Sequence, residues 1–325
     1  MSIILSAIGQ GLLWGLLGLG LYLTFRILNF PDLTVEGTFP LGACVCVAAI
    51  THGLSPFVGL LLSLVAGALA GLATGLLYTK LKIPNILAGI LVMTGMYSID
   101  LRILGRSNVG LLNYQTFFNY DFVQSLPEYF GAIVIGIIFV VIVIGLLTGF
   151  INTDLGQAFV ATGDNERMAA SFGINTDNTK ILGLMVSNGI IGLAGGMIAQ
   201  HDGYADVNMG IGTIVIGLAA IIIGEVILPN LSLTGRLIAI IIGSIAYRFV
   251  ILIVLQLGFN TNDTKLLSAI ILALCLAIPV IRQKLKLDHL LNQGGQKSWR
   301  PYWNSIILKR PLMPERLMNE RFSMI

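Results

Sequence analysis

Amide, hydroxyl and charged side chains interrupt several long apolar stretches of the sequence. A polar group at lipid depth is costly, so such residues commonly line a solute pathway or bond to a neighbouring helix. The pathway candidates are Glu36, Asn85, Thr94, Ser98, Asn188 and Glu225, and the further polar residues within apolar stretches are Asp100, Ser187, Gln200 and Arg248. Because Thr94 and Ser98 are four residues apart, they share one helical face, and Asn85 lies near the start of the same helix. Asn188 could equally bond across to another helix.

The segment Asn29–Ala43 carries two prolines, Pro31 and Pro40, and two carboxylates, Asp32 and Glu36. Proline lacks a backbone N–H, so we expect no continuous helix here, and the freed backbone groups need water or protein partners. The two carboxylates either face a wet cavity at membrane depth or cap helices at the membrane interface.

No catalytic constellation is present in the sequence. It lacks the phosphate-binding pattern G-x-x-x-x-G-K-[ST] as well as H-E-x-x-H, G-x-S-x-G and C-x-x-C. The cysteines and histidines are scattered without metal-ligand spacing. We therefore expect a non-catalytic chain with no cofactor and no metal, and any ATP that drives it must bind to another chain.

Composition places these residues in a membrane. Hydrophobic residues make up 56% of the 325 residues and charged residues 11%, and the mean hydropathy is +0.88. A soluble domain carries about 25% charged residues, more than twice this share. Segments of roughly spanning length occur at about 3–25, 39–50, 56–78, 84–100, 131–150, 180–200, 211–228, 234–256 and 264–281. We predict an all-α, polytopic transmembrane helical bundle of about 8–10 spans.

Two details of these segments stay open at this stage. The 39–50 segment is short; it either extends back through Val35–Gly37 or forms a broken helix beside a cavity. Gly67, Gly71 and Gly75 lie on one helical face, which serves packing within one subunit or contact with a second copy.

The distribution of Lys and Arg predicts the orientation, because cytoplasmic loops carry an excess of both. With the C-terminus in the cytoplasm, the inner side holds the tail 282–325 and Arg26, Lys80, Lys82, Arg167, Lys180 and Arg236. The outer side keeps Arg102, Arg106 and Lys265. We predict a transmembrane domain at 1–281 and a basic amphipathic cytoplasmic tail at 282–325 that rests on the anionic lipid surface. Nothing indicates binding to nucleic acid.

The cytoplasmic loop 151–179 has helical texture. Asp154 is expected to cap a first short helix, Asp164 or Asn165 a second one, and Gly173 to end it. A short capped helix between two spans suits docking into a groove of a soluble partner.

The same loop carries a family resemblance. Its pattern G-x-x-x-x-A-x-G-x-N, followed by alanine, then G-I-N, a lysine and a glycine-rich helix, resembles the permeases of bacterial ATP-binding-cassette (ABC) importers for branched-chain amino acids and ribose. The matching residues are Gly156, Ala161, Gly163, Asn165, Ala169 or Ala170, Gly173, Ile174, Asn175, Lys180, Gly192, Ala194, Gly195 and Gly196. Gly224-Glu225 departs from a glycine pair typical of the family, which favours a branch similar to permeases for tryptophan or other aromatic amino acids.

The resemblance implies a type II-like ABC importer permease that works in a bacterial inner membrane as a homodimer. Its expected partners are a second copy of itself, cytoplasmic ATPase subunits and an extracytoplasmic solute-binding protein. The resemblance also implies that the loop holds the coupling helix, whose contacts with the ATPase come from Asp164, Asn165, Glu166, Ala170 and Gly173. Amino acids are the expected substrates, with aromatic ahead of branched-chain ones.

A self-contained secondary transporter or channel is the alternative function. It predicts paired broken helices in corresponding halves of the chain and buried carboxylates along an ion pathway. The sequence shows no convincing internal repeat.

Overall fold

Helices occupy all nine apolar segments in the part of the chain that the structure describes. The computed structural model describes residues 2–120, 123, 125, 127, 130–229, 231–256 and 264–284. The nine helices are α1 (Ser2–Tyr22), α2 (Val35–Thr51), α3 (Pro56–Thr79), α4 (Asn85–Leu104), α5 (Phe130–Ile151), α8 (Thr176–Asp202), α9 (Thr213–Ile227), α10 (Leu233–Gln256) and α11 (Thr264–Lys284). Two short helices, α6 (Asp154–Asp164) and α7 (Glu166–Ser171), separate α5 from α8.

Six of these helical segments are long and apolar enough to cross a membrane, and α2, α9 and part of α11 are shorter apolar helices. The predicted helical membrane bundle is confirmed. The chain divides into two units, Met1–Leu276 and Ala277–Ile325. Most of the second unit, including the basic tail from residue 285 onward, lies outside the described residues.

The first unit has two distinct ends. A two-stranded antiparallel ribbon, β1 (Asn108–Gly110) with β2 (Tyr204–Asp206), follows the ends of α4 and α8. The α6–α7 hairpin precedes the start of α8. Since α8 has 27 residues, these features lie about 40 Å apart. We call these ends the ribbon side and the hairpin side.

Helix α8 is the central element, and backbone contacts fix its neighbours. A Cβ added to Gly67 of α3 would overlap the carbonyl oxygen of Asn188, and one on Gly42 of α2 would overlap that of Gly192. Only glycine allows backbones to approach this closely. The predicted glycine face of α3 therefore packs within the chain, because Gly71 and Gly75 also face α8.

Two of the helices begin inside the bundle. α2 extends back to Val35, as one interpretation of the sequence allowed, but it continues through Pro40. The expectation that Pro40 bars a helix was wrong: α2 continues through it, although proline removes the N–H that would bond the Glu36 carbonyl. That carbonyl and the Pro40 ring pack closely against Gly210 instead. α9 begins after Gly212, whose φ of 89° lies in the left-handed region that glycine tolerates.

Candidate functional site

The starts of α2 and α9 meet at Glu36. Its Oε1 accepts a hydrogen bond from the backbone N–H of Gly212 at 3.0 Å, although the two residues are 176 positions apart. A carboxylate at a helix N-terminus satisfies a free N–H and complements the positive end of the helix dipole. Glu36 therefore anchors the start of α9 to the first turn of α2.

A buried polar network lies beside this junction. The side-chain amide of Asn188 donates to Asp32 Oδ2 at 2.8 Å, and its Oδ1 accepts from the Thr38 hydroxyl at 2.8 Å. Asp32 Oδ1 accepts from the backbone N–H of Thr34 at 2.9 Å, and the Thr34 hydroxyl bonds that of Thr74 at 2.7 Å. All five residues are buried. Asn188 therefore joins α8 to α2, which is the helix-to-helix bond that the sequence left open.

The other pathway candidates lie elsewhere. On α4, Thr94 and Ser98 are exposed and Asn85 is half-buried. The Thr94 hydroxyl donates to the carbonyl of Ile90 within its own helix. Glu225 lies on the hairpin side and pairs with Arg26 at 2.9 Å. The structure therefore brings Glu36 and Asn188 close to one junction and leaves the α4 residues on an outer face; their place in a solute pathway stays a prediction.

Local capping builds the hairpin. The Asn165 side chain accepts from the N–H of Met168 at 3.0 Å, which starts α7 as predicted. Gly173 follows its end with a φ of 81°, the left-handed stop that glycine favours. The expected cap Asp154 was wrong by one residue: Thr153 caps α6 by accepting from Gly156 N. Threonine competes well with aspartate for this position.

The five predicted coupling residues, Asp164, Asn165, Glu166, Ala170 and Gly173, are all exposed on this hairpin. The structure adds large apolar side chains that sequence reasoning missed. Phe172 is 76% exposed and Leu155 is 64% exposed, and Met168 is exposed too. The spacing of Met168 and Phe172, four residues apart next to polar neighbours, was the available signal.

Glu166 also faces the membrane domain. Its Oε1 forms an ion pair with Lys180 Nζ at 2.6 Å. The same Nζ donates to Tyr78 Oη at 3.3 Å and lies 4.9 Å from the centre of the Tyr78 ring. Because the Lys180 side chain is buried, this contact fixes α7 to the bases of α3 and α8.

A pocket of about 470 Å³ opens on the ribbon side, and its polar lining includes Asn108, Gln200 and Asp202. Gln200 Oε1 accepts from Phe117 N at 3.1 Å, while its amide donates to the carbonyl of Pro56 at 3.2 Å. No group of three His, Cys, Asp or Glu side chains that could hold a metal ion occurs among the described residues.

Comparison with known proteins identifies the family. Residues 3–278 match the family described as the permease component of the branched-chain amino acid transport system. The chain belongs to this family. It is therefore the permease component of an ABC-type importer, as the loop pattern predicted, and the family does not support the self-contained transporter.

Individual relatives cover most of the chain. A tyrosine transport system permease protein of Clostridioides difficile is 42% identical over 286 residues, 88% of this chain and 94% of that protein. An uncharacterized protein of Rickettsia prowazekii is 34% identical over 85% of this chain and 98% of its own length. The autoinducer 2 import system permease LsrC of Yersinia pseudotuberculosis is 28% identical over 76% of this chain and 69% of its own.

Proposed function

We propose that this permease component forms the translocation pathway for amino acids, aromatic ahead of branched-chain, and that a separate chain hydrolyses the ATP. The relative whose name includes tyrosine transport is 42% identical over 94% of its length, which supports an aromatic amino acid as the substrate. In this proposal the permease itself is non-catalytic and requires no cofactor.

The exposed apolar surface of the α6–α7 hairpin is the observation that carries the ATPase contact. Leu155, Met168 and Phe172 leave large apolar area uncovered at the end of the bundle rather than along its spans. Large exposed apolar side chains among polar ones are typical of a protein interface. Docking would cover these side chains together with Asp164, Asn165, Glu166, Ala170 and Gly173.

The hairpin side is proposed to be cytoplasmic, in the inner membrane of a bacterium. Basic residues gather near this side: Lys80 and Lys82 lie within 4 Å of Asp177, and Arg26 pairs with Glu225. An excess of Lys and Arg marks the cytoplasmic face. The N-terminus then lies outside and the C-terminus inside, with the tail 282–325 on the lipid surface and the domain boundary near residue 281.

We propose that the remaining partners dock on surfaces of the bundle that are exposed and lie away from the hairpin. A solute-binding protein would dock on the ribbon side, where the 470 Å³ pocket opens. A second copy would pack on the outer face of α4, where Thr94 and Ser98 are exposed and a Cβ on Gly95 would meet open space. Together with Glu36, Asn85, Asn188 and Glu225, these residues would border the pathway.

Copurification from membranes tests the ATPase contact. Tagged permease is purified in mild detergent, and the ATP hydrolysis that elutes with it is measured for wild type, Phe172→Asp and Asn165→Arg/Gly173→Arg. The matched control is Leu112→Asp, which changes an equally apolar residue that is 94% exposed on the ribbon side. We expect the hairpin variants to lose the ATPase and the control to keep it. A folded wild type that elutes without ATPase, or equal retention by Phe172→Asp, would contradict the proposal.

A further inference from the structure

Among the residues that the structure describes, two charged side chains within the spans contain buried atoms without a hydrogen-bond partner. They are Asp100, through both carboxylate oxygens, and Arg248, through Nε. A carboxyl group can become neutral by binding a proton, whereas a guanidinium stays charged in proteins. Arg248 therefore keeps its positive charge, which an anion would have to compensate.

Arg248 has no ion-pair partner among the described residues, although the charge of Asp202 acts on it from beyond contact distance. Among the described residues no carboxylate lies within ion-pair distance of its guanidinium, and Asp202 is paired with His201 instead. The contact that the guanidinium makes is with Trp14, whose ring centre lies 4.2 Å from Cζ. Trp14 in turn stacks on Phe39 of α2 with centroids 5.4 Å apart. A cation–π contact uses no N–H donor as a hydrogen bond, and Arg248 Nε has no hydrogen-bond partner among the described residues.

The Arg248 side chain does not extend towards the nearer membrane interface, where its charge would be hydrated. Gly11 of α1 packs against Ile245 of α10, which gives the register of these antiparallel helices. Arg248 lies three residues beyond Ile245 towards the ribbon side, whereas Trp14 lies three residues from Gly11 towards the hairpin side. The two Cα atoms are thus about 9 Å apart along the bundle. The guanidinium reaches inward to Trp14, opposite to the outward direction of a side chain that snorkels to the near interface.

The start of α9 lies at about the same depth in the bundle as Arg248. Gly243 of α10 packs against the carbonyl of Ala220, and Gly224 against that of Ala239. Continuing this antiparallel register places the first turn of α9 level with Arg248. Because α9 begins there, α10 loses its α9 neighbour towards the ribbon side, and the Arg248 side chain is only half-buried. A solute that reaches this level from the ribbon side would meet the guanidinium beside the start of α9. The Gly212 N–H there is already bonded by Glu36, so the attraction for a carboxylate rests on the guanidinium.

We propose that Arg248, whose guanidinium lies over the Trp14 ring, is the anchor for the carboxylate of the amino acid during translocation. This inference rests on the proposed transport of amino acids. A planar guanidinium binds a carboxylate through two parallel N–H···O bonds, and its contact with the Trp14 ring restricts where the guanidinium can lie. The lipid phosphate group is a poor candidate for this anion, because it lies at the interface from which the side chain turns away.

Ligand-dependent thermal stability of the purified permease tests the anchor. The midpoint of unfolding is measured with each standard L-amino acid, and the one that stabilises wild type most is compared with its amide, which lacks the carboxylate. We expect the amino acid to stabilise and the amide to have little effect. Arg248→Met, which keeps the stem on Trp14, should raise Kd about 10-fold to 100-fold. Arg248→Lys should raise it less, since it keeps the charge without the planar fork.

Arg102→Gln is the matched control, because Arg102 is an exposed arginine near the ribbon-side end of α4; it should bind as wild type does. Equal stabilisation by amino acid and amide, unchanged binding by Arg248→Met, or no stabilisation of wild type by any amino acid would overturn the anchor and leave Arg248 as a contact between α1 and α10. The amide comparison needs no variant, so misfolding cannot mask the result. ATPase copurification from the same preparations separates failure of the anchor from failure of the proposed function.

Discussion

Replacing Asn188 with alanine should destabilise the bundle more than any exposed polar substitution. The variant removes the donor to Asp32 Oδ2 and the acceptor for Thr38, each at 2.8 Å. It retains the Cβ, the Asn188 side-chain atom nearest to a Cβ built on Gly71. The glycine contacts between α3 and α8 therefore survive, and the measured change reports the hydrogen bonds.

The magnitude follows from two contributions. Hydrogen bonds between membrane helices contribute about 0.6 kcal/mol on average and up to about 1.7 kcal/mol. A buried acceptor left without its donor adds about 1–3 kcal/mol, and Asp32 keeps only the N–H of Thr34. We expect Asn188→Ala to lower the free energy of unfolding by about 2–4 kcal/mol. Asn85→Ala, at the half-buried start of α4, should stay within about 0.5 kcal/mol.

Asp32→Asn provides the decisive second step. If the cost of Asn188→Ala comes from an orphaned carboxylate, neutralising that carboxylate in the same chain should restore about 1–2 kcal/mol. Reversible unfolding in mixed micelles, followed by circular dichroism, gives all four corners of the cycle. A cost below about 1 kcal/mol for Asn188→Ala, or no recovery in the double variant, would refute the network as the stabilising element.

Two further predictions concern the hairpin and the glycine contacts. Glu166→Lys and Lys180→Glu should each raise hydrogen exchange in α7 and lower the free energy of unfolding by about 1–2 kcal/mol, because the pair is half-buried. The swapped double variant should recover most of this loss. Additive losses in the double variant would contradict the ion pair. Gly42→Ala should cost more than about 2 kcal/mol, since its Cβ would overlap the carbonyl of Gly192. Gly95→Ala, with nothing within 4 Å, should be neutral or stabilise by up to about 1 kcal/mol in the same unfolding assay.

The features that the sequence predicted correctly depend on neighbours along the chain. Nine apolar segments became nine helices because burial in lipid requires internal hydrogen bonding of each span. Asn165 and Gly173 were placed at the ends of α7 because capping involves residues only a few positions apart. Local sequence does not always select one cap: Thr153 and Asp154 both suit the N-cap position of α6, and the chain uses Thr153.

The features that the sequence did not predict join distant residues. Glu36 and Gly212 are 176 positions apart, and Asp32 and Asn188 are 156 apart. Their pairing depends on how α2 packs against α8 and α9, and the periodicity of apolar residues carries no information on that packing. Arg248 was identified as a polar residue within a span, but only the structure shows that it lies over Trp14 and has no ion-pair partner in the described part of the chain.

One face of α8 joins the hairpin to the interior junction. Lys180, Leu184 and Asn188 recur every fourth residue, so they lie in a row about 12 Å long. Lys180 holds Glu166 of the hairpin, and Asn188 holds Asp32 at the approach to α2. Between them, the carbonyl of Leu184 faces Gly71 of α3 so closely that no Cβ fits. Helices in backbone contact cannot slide past one another without separating, because the close approach fixes their register. A displacement of the hairpin must therefore either break the Glu166–Lys180 pair or move α8 together with the start of α2.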